Sequence, residues 1–283
     1  MQASNPLIAV IICGAAGLAP THGFCQTQDT RSFVRTIVEN ELKADANDHS
    51  RWMFEDQNRT AAGSTVKLVV QTPEGDLSKT IAINGHALNA QQRSADEQKM
   101  HQFVTDEALR RKKKRDAEQD DQRAASMTKM LPDAFTWTKT SENGPETTLS
   151  FKPDGAFEPP SHEARVFSAM GGTMVVNTAQ KRIKSLKGTL TQDVTFGYGL
   201  FGRLKRGGTF HIERREIGPK VWEITSTQVN IQGHALIFKS ISEQQDEQTS
   251  HYKLAPASIT ISEAEKMLND GRVARELGVS VPE

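Results

Sequence analysis

The feature that most constrains this chain is the stretch from Arg182 to Leu254, where β-favouring segments follow one another with little but turn residues between them. Alternating patterns run over Arg182–Phe196, Thr209–Ile217, Val221–Ile231, His234–Ser242 and Thr249–Leu254. Short strands joined by tight turns pair with their chain neighbours, so an antiparallel meander is expected here. Leu186, Leu190, Val194 and Phe196 should share one face of the first strand. Within Val221–Ile231 the apolar phase switches, with Trp222 and Ile224 pointing one way and Val229 and Ile231 the other. A β-bulge, or a strand buried on both faces, produces such a switch, and a sheet that curls needs such kinks.

One turn in this region is unusual. Between two strands lies Phe196-Gly197-Tyr198-Gly199-Leu200-Phe201-Gly202, followed by Arg203-Leu204-Lys205-Arg206-Gly207-Gly208. It lacks the Lys-Ser/Thr ending of a phosphate loop and leads into a strand instead of a helix. Its content is an apolar loop with a basic collar at Arg203, Lys205 and Arg206. Such a loop either plugs the end of its own sheet, lines the mouth of a ligand cavity, or touches a membrane surface.

Upstream of the meander the pattern is mixed. Phe33, Ile37, Val38 and Leu42 recur at helical spacing, which predicts an amphipathic helix over 30–44 with Thr30 as its cap. Strands are expected at Arg51–Glu55, Val66–Gln71 and Leu77–Ile83, with turns at Pro73-Glu74-Gly75-Asp76 and Asn84-Gly85. Asn89 can cap a long polar helix from Ala90 to about Leu131, with a break near Thr105-Asp106. In that helix the basic run Arg110–Arg115 is followed by Asp116, Glu118, Asp120 and Asp121. Pairs such as Lys112–Asp116 and Lys114–Glu118 make this a solvated helix. A hairpin should join Phe135–Thr140 to Thr147–Lys152. A short helix is expected within His162–Met170, a strand at Met174–Asn177, and a C-terminal helix over Ser262–Leu268 capped by Ser262.

Residues 1–25 behave as a signal peptide. An apolar segment, Leu7 to Ala19, is followed by Pro20, small residues and a polar start at Gln26-Thr27-Gln28-Asp29. Cleavage is expected after Gly23 or Cys25, which makes the protein exported, either periplasmic or extracellular. With two cysteines in all, at most one remains in the mature chain, and the core must hold without a disulfide. The remaining residues 26–283 are expected to form a single α+β domain. The 35 basic residues balance 35 acidic ones, so no overall field draws the chain to nucleic acid. No apolar run approaches the length of a membrane-spanning helix.

Candidate chemistry is sparse. Asp48-His49-Ser50 cannot be a catalytic triad, whose members meet through the fold and not along the chain; a helix-to-strand turn is expected. His162-Glu163 lacks the second histidine of the zinc-protease helix. His211, Glu213, His234 and His251 fall on neighbouring strands and have zinc-ligand chemistry. Alternation, however, turns His211 and Glu213 away from Phe210 and Ile212 and toward solvent. Neither a cofactor nor a metal is expected.

The residues Phe33-Val34-Arg35, Glu39-Asn40-Glu41-Leu42, Asp48-His49-Ser50-Arg51-Trp52, Asn84-Gly85, Leu88 and Gln92-Arg93 resemble an uncharacterised family of bacterial secreted proteins. Gly188-Thr189-Leu190, Asp193-Val194, Phe196-Gly197, Gly199-Leu200, Gly202 and Gly207-Gly208-Thr209-Phe210 fit the same family. More loosely, strand order and turn style are similar to the LolA/LolB-type periplasmic lipoprotein carriers. That resemblance implies a curled antiparallel sheet, an open half-barrel partly covered by helices, with an apolar cavity for acyl chains. On this reading the chain is a non-enzymatic exported protein that binds a lipid or a lipoprotein acyl chain. Val194, Phe196, Phe210, Trp222 and Phe238 would line the cavity, with Tyr198 and Phe201 at its entrance, and peripheral membrane contact is expected. The competing expectation is an envelope scaffold with a dry core that meets a protein partner through helix 90–131. A secreted hydrolase would need a converging nucleophile, base and oxyanion site, which the sequence does not supply.

Overall fold

A computed structural model describes residues 22–196, 202–235 and 244–282. The first helix, α1 (His22–Asn47), leads into β1 (Trp52–Thr60), β2 (Gly63–Thr72), β3 (Gly75–Ile83) and the short β4 (His86–Ala87). Two helices follow, α2 (Ala90–Thr105) and α3 (Glu107–Ala134). Then come β5 (Phe135–Asn143), β6 (Glu146–Pro153), α4 (His162–Ser168), β7 (Met170–Asn177) and β8 (Arg182–Leu190). After these lie β9 (Val194–Phe196), β10 (Gly202–Leu204), β11 (Thr209–Gly218), β12 (Val221–Asn230), β13 (Gly233–Ala235) and β14 (Gln244–Leu254). The helices α5 (Ile261–Asn269) and α6 (Arg272–Leu277) close the described chain.

Eleven strands form one antiparallel sheet in the order β4-β3-β2-β1-β14-β12-β11-β8-β7-β6-β5. Its two edges, β4 and β5, do not meet, so the sheet is open. The fold is therefore α+β, dominated by this sheet and accompanied by six helices among the described residues. β1 pairs with β14, so the first and last strands are hydrogen-bonded to each other. The expected single strand Arg182–Phe196 is two strands. It breaks at Thr191–Asp193, where β9 leaves the large sheet and pairs with β10, and β10 with β13. This small sheet continues β8, β11 and β12 past the break. Asp193 fixes the corner: its carboxylate accepts from the Arg206 N–H at 2.7 Å and from Arg203 Nε at 3.0 Å.

The anticipated phase switch in β12 is a bulge. Glu213 pairs with Ser226 but Arg214 pairs with Ile224, which leaves Thr225 extra. Further register shifts occur in the β1–β14, β2–β3, β5–β6 and β7–β8 pairings. Each extra residue bends its strand and adds local twist.

Because paired residues in an antiparallel ladder point to the same side, each face can be followed across the sheet. One row runs Trp137, Phe151, Gly172, Gly188, Phe210, Val229, Gln245, Thr60; we call this the front face. The adjacent row lies on the back face and runs Thr138, Ser150, Thr173, Lys187, His211, Gln228, Asp246, Arg59. The front row is apolar from β5 to β12 and polar beyond. The back row is polar throughout.

The two hydrophobic cores sit on opposite faces. Over β5–β8 the front face buries Phe135, Trp137, Leu149, Phe151 and Met174 beneath Val34, Ile37 and Val38 of α1 and Leu131 of α3. Over β1–β3 it is the back face that is apolar: Met53, Val70 and Leu77 are paired in register and lie under Ala264, Met267 and Leu268 of α5 and Val273 of α6. Asn89 caps α2 with a reciprocal Gln92 bond, and Asp106 separates α2 from α3, both as the sequence indicates. Two caps differ. α1 already begins at His22, so Thr30 lies inside it, and the cap of α5 is Thr260, not Ser262, because Glu263 completes a capping box with Thr260.

Candidate functional site

The front face offers the only extended apolar surface that runs on past its covering helices among the described residues. A second row on that face reads Leu149, Met174, Leu186, Ile212, then Thr227, Glu247, Asn58 and Thr65. Leu149 and Met174 are fully buried under α1, whereas Leu186, Ile212, Phe210 and Val229 are only half-buried. The apolar floor therefore extends onto β11 and β12, where the covering is incomplete. Phe210 is held there by a cross-strand glycine. A side chain at Gly188 would collide with the Phe210 ring, so the ring lies over the bare backbone of β8.

α3 bridges this face. It begins after α2, which packs on β3 through Asp96 accepting from Thr80 N–H at 2.9 Å and Thr80 Oγ1 at 2.6 Å. It ends directly in β5, the opposite edge. Its 28 residues span about 42 Å at 1.5 Å per residue. The nine interstrand spacings from β3 to β5 amount to about 43 Å, which matches the helix length and lets it act as a strut between the two wings. Residues 111–124 are exposed apart from Asp116, though Asp121 lies near enough to Asp76 of β3 to act on its charge. The Lys112–Asp116 pair forms at 3.0 Å; Lys114–Glu118 does not form, and Arg111–Glu107 and Arg123–Asp120 are found instead.

α1 is locked on the same face by charge. Glu41, 2% exposed, accepts from the Ile183 N–H, from Arg182 Nε at 2.8 Å and from Arg214 Nη1 at 2.5 Å. Arg31–Asp154 at 2.7 Å and Arg35–Asp133 at 2.8 Å tie the helix further.

Beyond the apolar floor the front face turns acidic. Burial pushes the carboxyls of Asp56, Asp76 and Glu247 above the usual carboxylate range. Asp121 of α3 adds to this at Asp76, and Asp56 adds to it at Glu247. Asp56 Oδ1 and Asn58 Oδ1 are buried without hydrogen-bond partners. At one end of this region Phe54 stacks on Tyr252 at 5.2 Å, and burial pushes the Tyr252 hydroxyl up to about 12. Apolar and desolvated acidic ground thus adjoin on one face.

The residues singled out in the sequence fall in different places. Val194, 4% exposed, is packed in the front core with Leu204 and Ile231. Phe210 lies on the half-buried floor. Trp222 is buried and donates its indole N–H to Gln180 Oε1 at 2.8 Å. Trp222 pairs with Glu216, four residues along β11 from Ile212, so about 13 Å separates it from the nearest residue of the floor. Phe196 ends β9, with its side chain outside the described residues. Tyr198, Phe201 and Phe238 also lie outside them. Of the basic collar, Arg203 is engaged by Asp193, which leaves Lys205 and Arg206 exposed. Leu186, Ile212 and Val229 are the floor residues missing from the sequence-based set. The first two follow from alternation with Leu190 and Phe210.

Asp48, His49 and Ser50 form a turn, as the sequence indicates. Asp48 Oδ1 accepts from Ser50 N and Oγ, and Ser50 Oγ accepts the Trp52 indole N–H. Among the described residues no group of three or more metal-ligating side chains converges, and no helix is long and apolar enough to cross a membrane. The chain matches no protein-family model and no curated protein.

Proposed function

We propose that this is an exported binding protein that holds an acyl chain on the front face of its open sheet, between the β8–β11–β12 floor and the helices α1 and α3. The observation that carries this reading is that the apolar face continues past its core at Leu186, Ile212, Phe210 and Val229, which are only half-buried. Leaving such a strip wet forgoes stabilisation that an alkyl ligand recovers at about 0.8 kcal/mol per buried methylene. The exposed middle of α3 leaves the sides of this space open for entry. The bulges supply the bending that a half-barrel requires. Lys205 and Arg206, beside the apolar loop, are placed to meet an anionic membrane surface during transfer.

The test is native mass spectrometry of the exported protein, with solvent extraction of whatever copurifies and titration with palmitate and lysophosphatidylcholine. The reading predicts a bound lipid mass that Ile212→Asp removes while the circular dichroism spectrum is kept. A clean apo mass with no uptake of either probe overturns it.

A second reading has its own observation: the exposed stretch 111–124 of α3, with Lys113, Lys114 and Arg115 outside any ion pair among the described residues, offers a charged helix to a protein partner. Charge reversal at those three residues would abolish capture of that partner and leave lipid uptake unchanged.

A further inference from the structure

The back face carries a second feature besides the acyl floor. α6 packs on β1 and β14 toward Met53 and Lys253. Beside it, over β11, β12 and the rest of β14 and β1, the side chains form a groove of two adjoining hollows. The larger has a volume of about 540 Å³ and the other about 430 Å³. His211 and Gln228 line both, so the hollows are continuous. The register places Glu213, Ser226, Gln248 and Gln57 in one row across the groove, with His211, Gln228, Asp246 and Arg59 in the next.

The chemistry of these rows narrows what they can bind. The charges cancel: Glu213 is offset by Arg215, and Asp246 by Arg59. Glu216 is already occupied by the Lys220 N–H and by Gln180 Nε2, both at 2.8 Å. An anion would find too few cations and a cation too few free carboxylates. An apolar ligand would leave a floor of amides, hydroxyls and imidazole unpaired, at a cost for each. Several of these groups have no partner now. The side chains of Gln228, Ser226 and Arg215 make no hydrogen bond among the described residues. His211 Nε2 is buried and unbonded, lying 3.2 Å from Glu213 Oε1 without hydrogen-bond alignment. Primary amides both donate and accept in one plane, and a neutral imidazole does the same from its two nitrogens. Adjacent hydroxyls on a ring demand this pairing, because each gives one proton and accepts others.

We infer that the groove is a binding site for a neutral, linear oligosaccharide lying across β11, β12, β14 and β1, with Gln228 and His211 at its centre. The elongated, continuous shape suits a chain of sugar rings better than a single one. The combined volume lies within the range of small-molecule sites. Ile212 of the acyl floor and His211 of the groove are consecutive residues that face opposite ways, while Val229, near the end of β12, borders both.

The experiment is NMR titration of the full chain with maltotriose, cellotriose and chitotriose, following the side-chain amide signals of Gln57, Gln228 and Gln248. At least one sugar is expected to shift these signals, and Gln228→Ala or His211→Ala to weaken it about tenfold, the worth of one or two lost hydrogen bonds. Both residues are outside the hydrophobic cores, so the variants should keep the wild-type melting temperature. If none of these sugars moves the three amides, or if the bound sugar is unaffected by both substitutions, the inference is overturned.

Discussion

The wing formed by β5–β8 and the wing formed by β1–β3 belong to one hydrogen-bonded sheet, yet each buries the opposite face. The first has an aromatic core, in which Phe135, Trp137 and Phe151 meet with ring centroids 4.7–5.9 Å apart, and it is roofed by α1. The second is built of aliphatic and methionine side chains and is roofed by the C-terminal helices α5 and α6. The lesson lies between them. Where the apolar surface changes sides, at β11, β12 and β14, neither face is fully covered. The central strands are thus free to offer an apolar floor on the front and a polar groove on the back. A sheet with one continuous core could not present both.

The comparison is sharpened first by Glu41. Glu41→Ala takes from buried Arg182 its buried carboxylate partner, leaving it Asp45 at 3.5 Å and the Lys220 carbonyl at 3.3 Å, and is expected to cost about 3 kcal/mol, measured as a drop in the urea midpoint. Hydrogen exchange should show the loss concentrated in α1 and β5–β8. Next, Leu268→Ala in α5 should cost about 2–5 kcal/mol, with exchange accelerating in β1–β3 and not under α1. Equal acceleration in both wings would show that the two cores are one cooperative unit. Thr260→Ala, which removes the α5 cap, should cost about 1 kcal/mol and act on the same wing as Leu268.

The smallest effect concerns the front-face acids. Burial raises Asp56 and Glu247 above their unfolded values, so folding takes up protons and the fold loses stability as pH rises through the carboxylate range. Glu247→Gln should therefore stabilise at neutral pH, by a few tenths of a kcal/mol once solvent screening is counted, and make no difference in acid. Thermal melts across that pH range check the sign. A loss of stability at neutral pH would mean that Glu247 is held charged by Lys67.

The meander, the bulge in β12, the α2–α3 break at Asp106 and the caps made by Asn89 were all legible because each rests on local chemistry: alternation, phase and a capping side chain. The change of core face was not. It depends on β1 pairing with β14, nearly two hundred residues away, and no local pattern records that partner. The same long-range pairing places Gln57 beside Gln248 and so creates the back groove. Trp222 looked like cavity lining because it is large and apolar in a curved strand. Its indole N–H, bonded to Gln180, and its distance along β11 from Phe210 could be seen only in three dimensions. Phe210 itself was identified from alternation, but its support by Gly188 needed the register.

The most direct test uses residues on two paired strands that point opposite ways. A dansyl-labelled fatty acid is titrated into the wild type, Ile212→Asp on the front and Gln228→Asp on the back, with circular dichroism confirming that each variant folds. The account predicts saturable fluorescence enhancement in the wild type and in Gln228→Asp, and its loss in Ile212→Asp. Enhancement that survives in a folded Ile212→Asp, or that is absent from the wild type, would contradict the front-face acyl site.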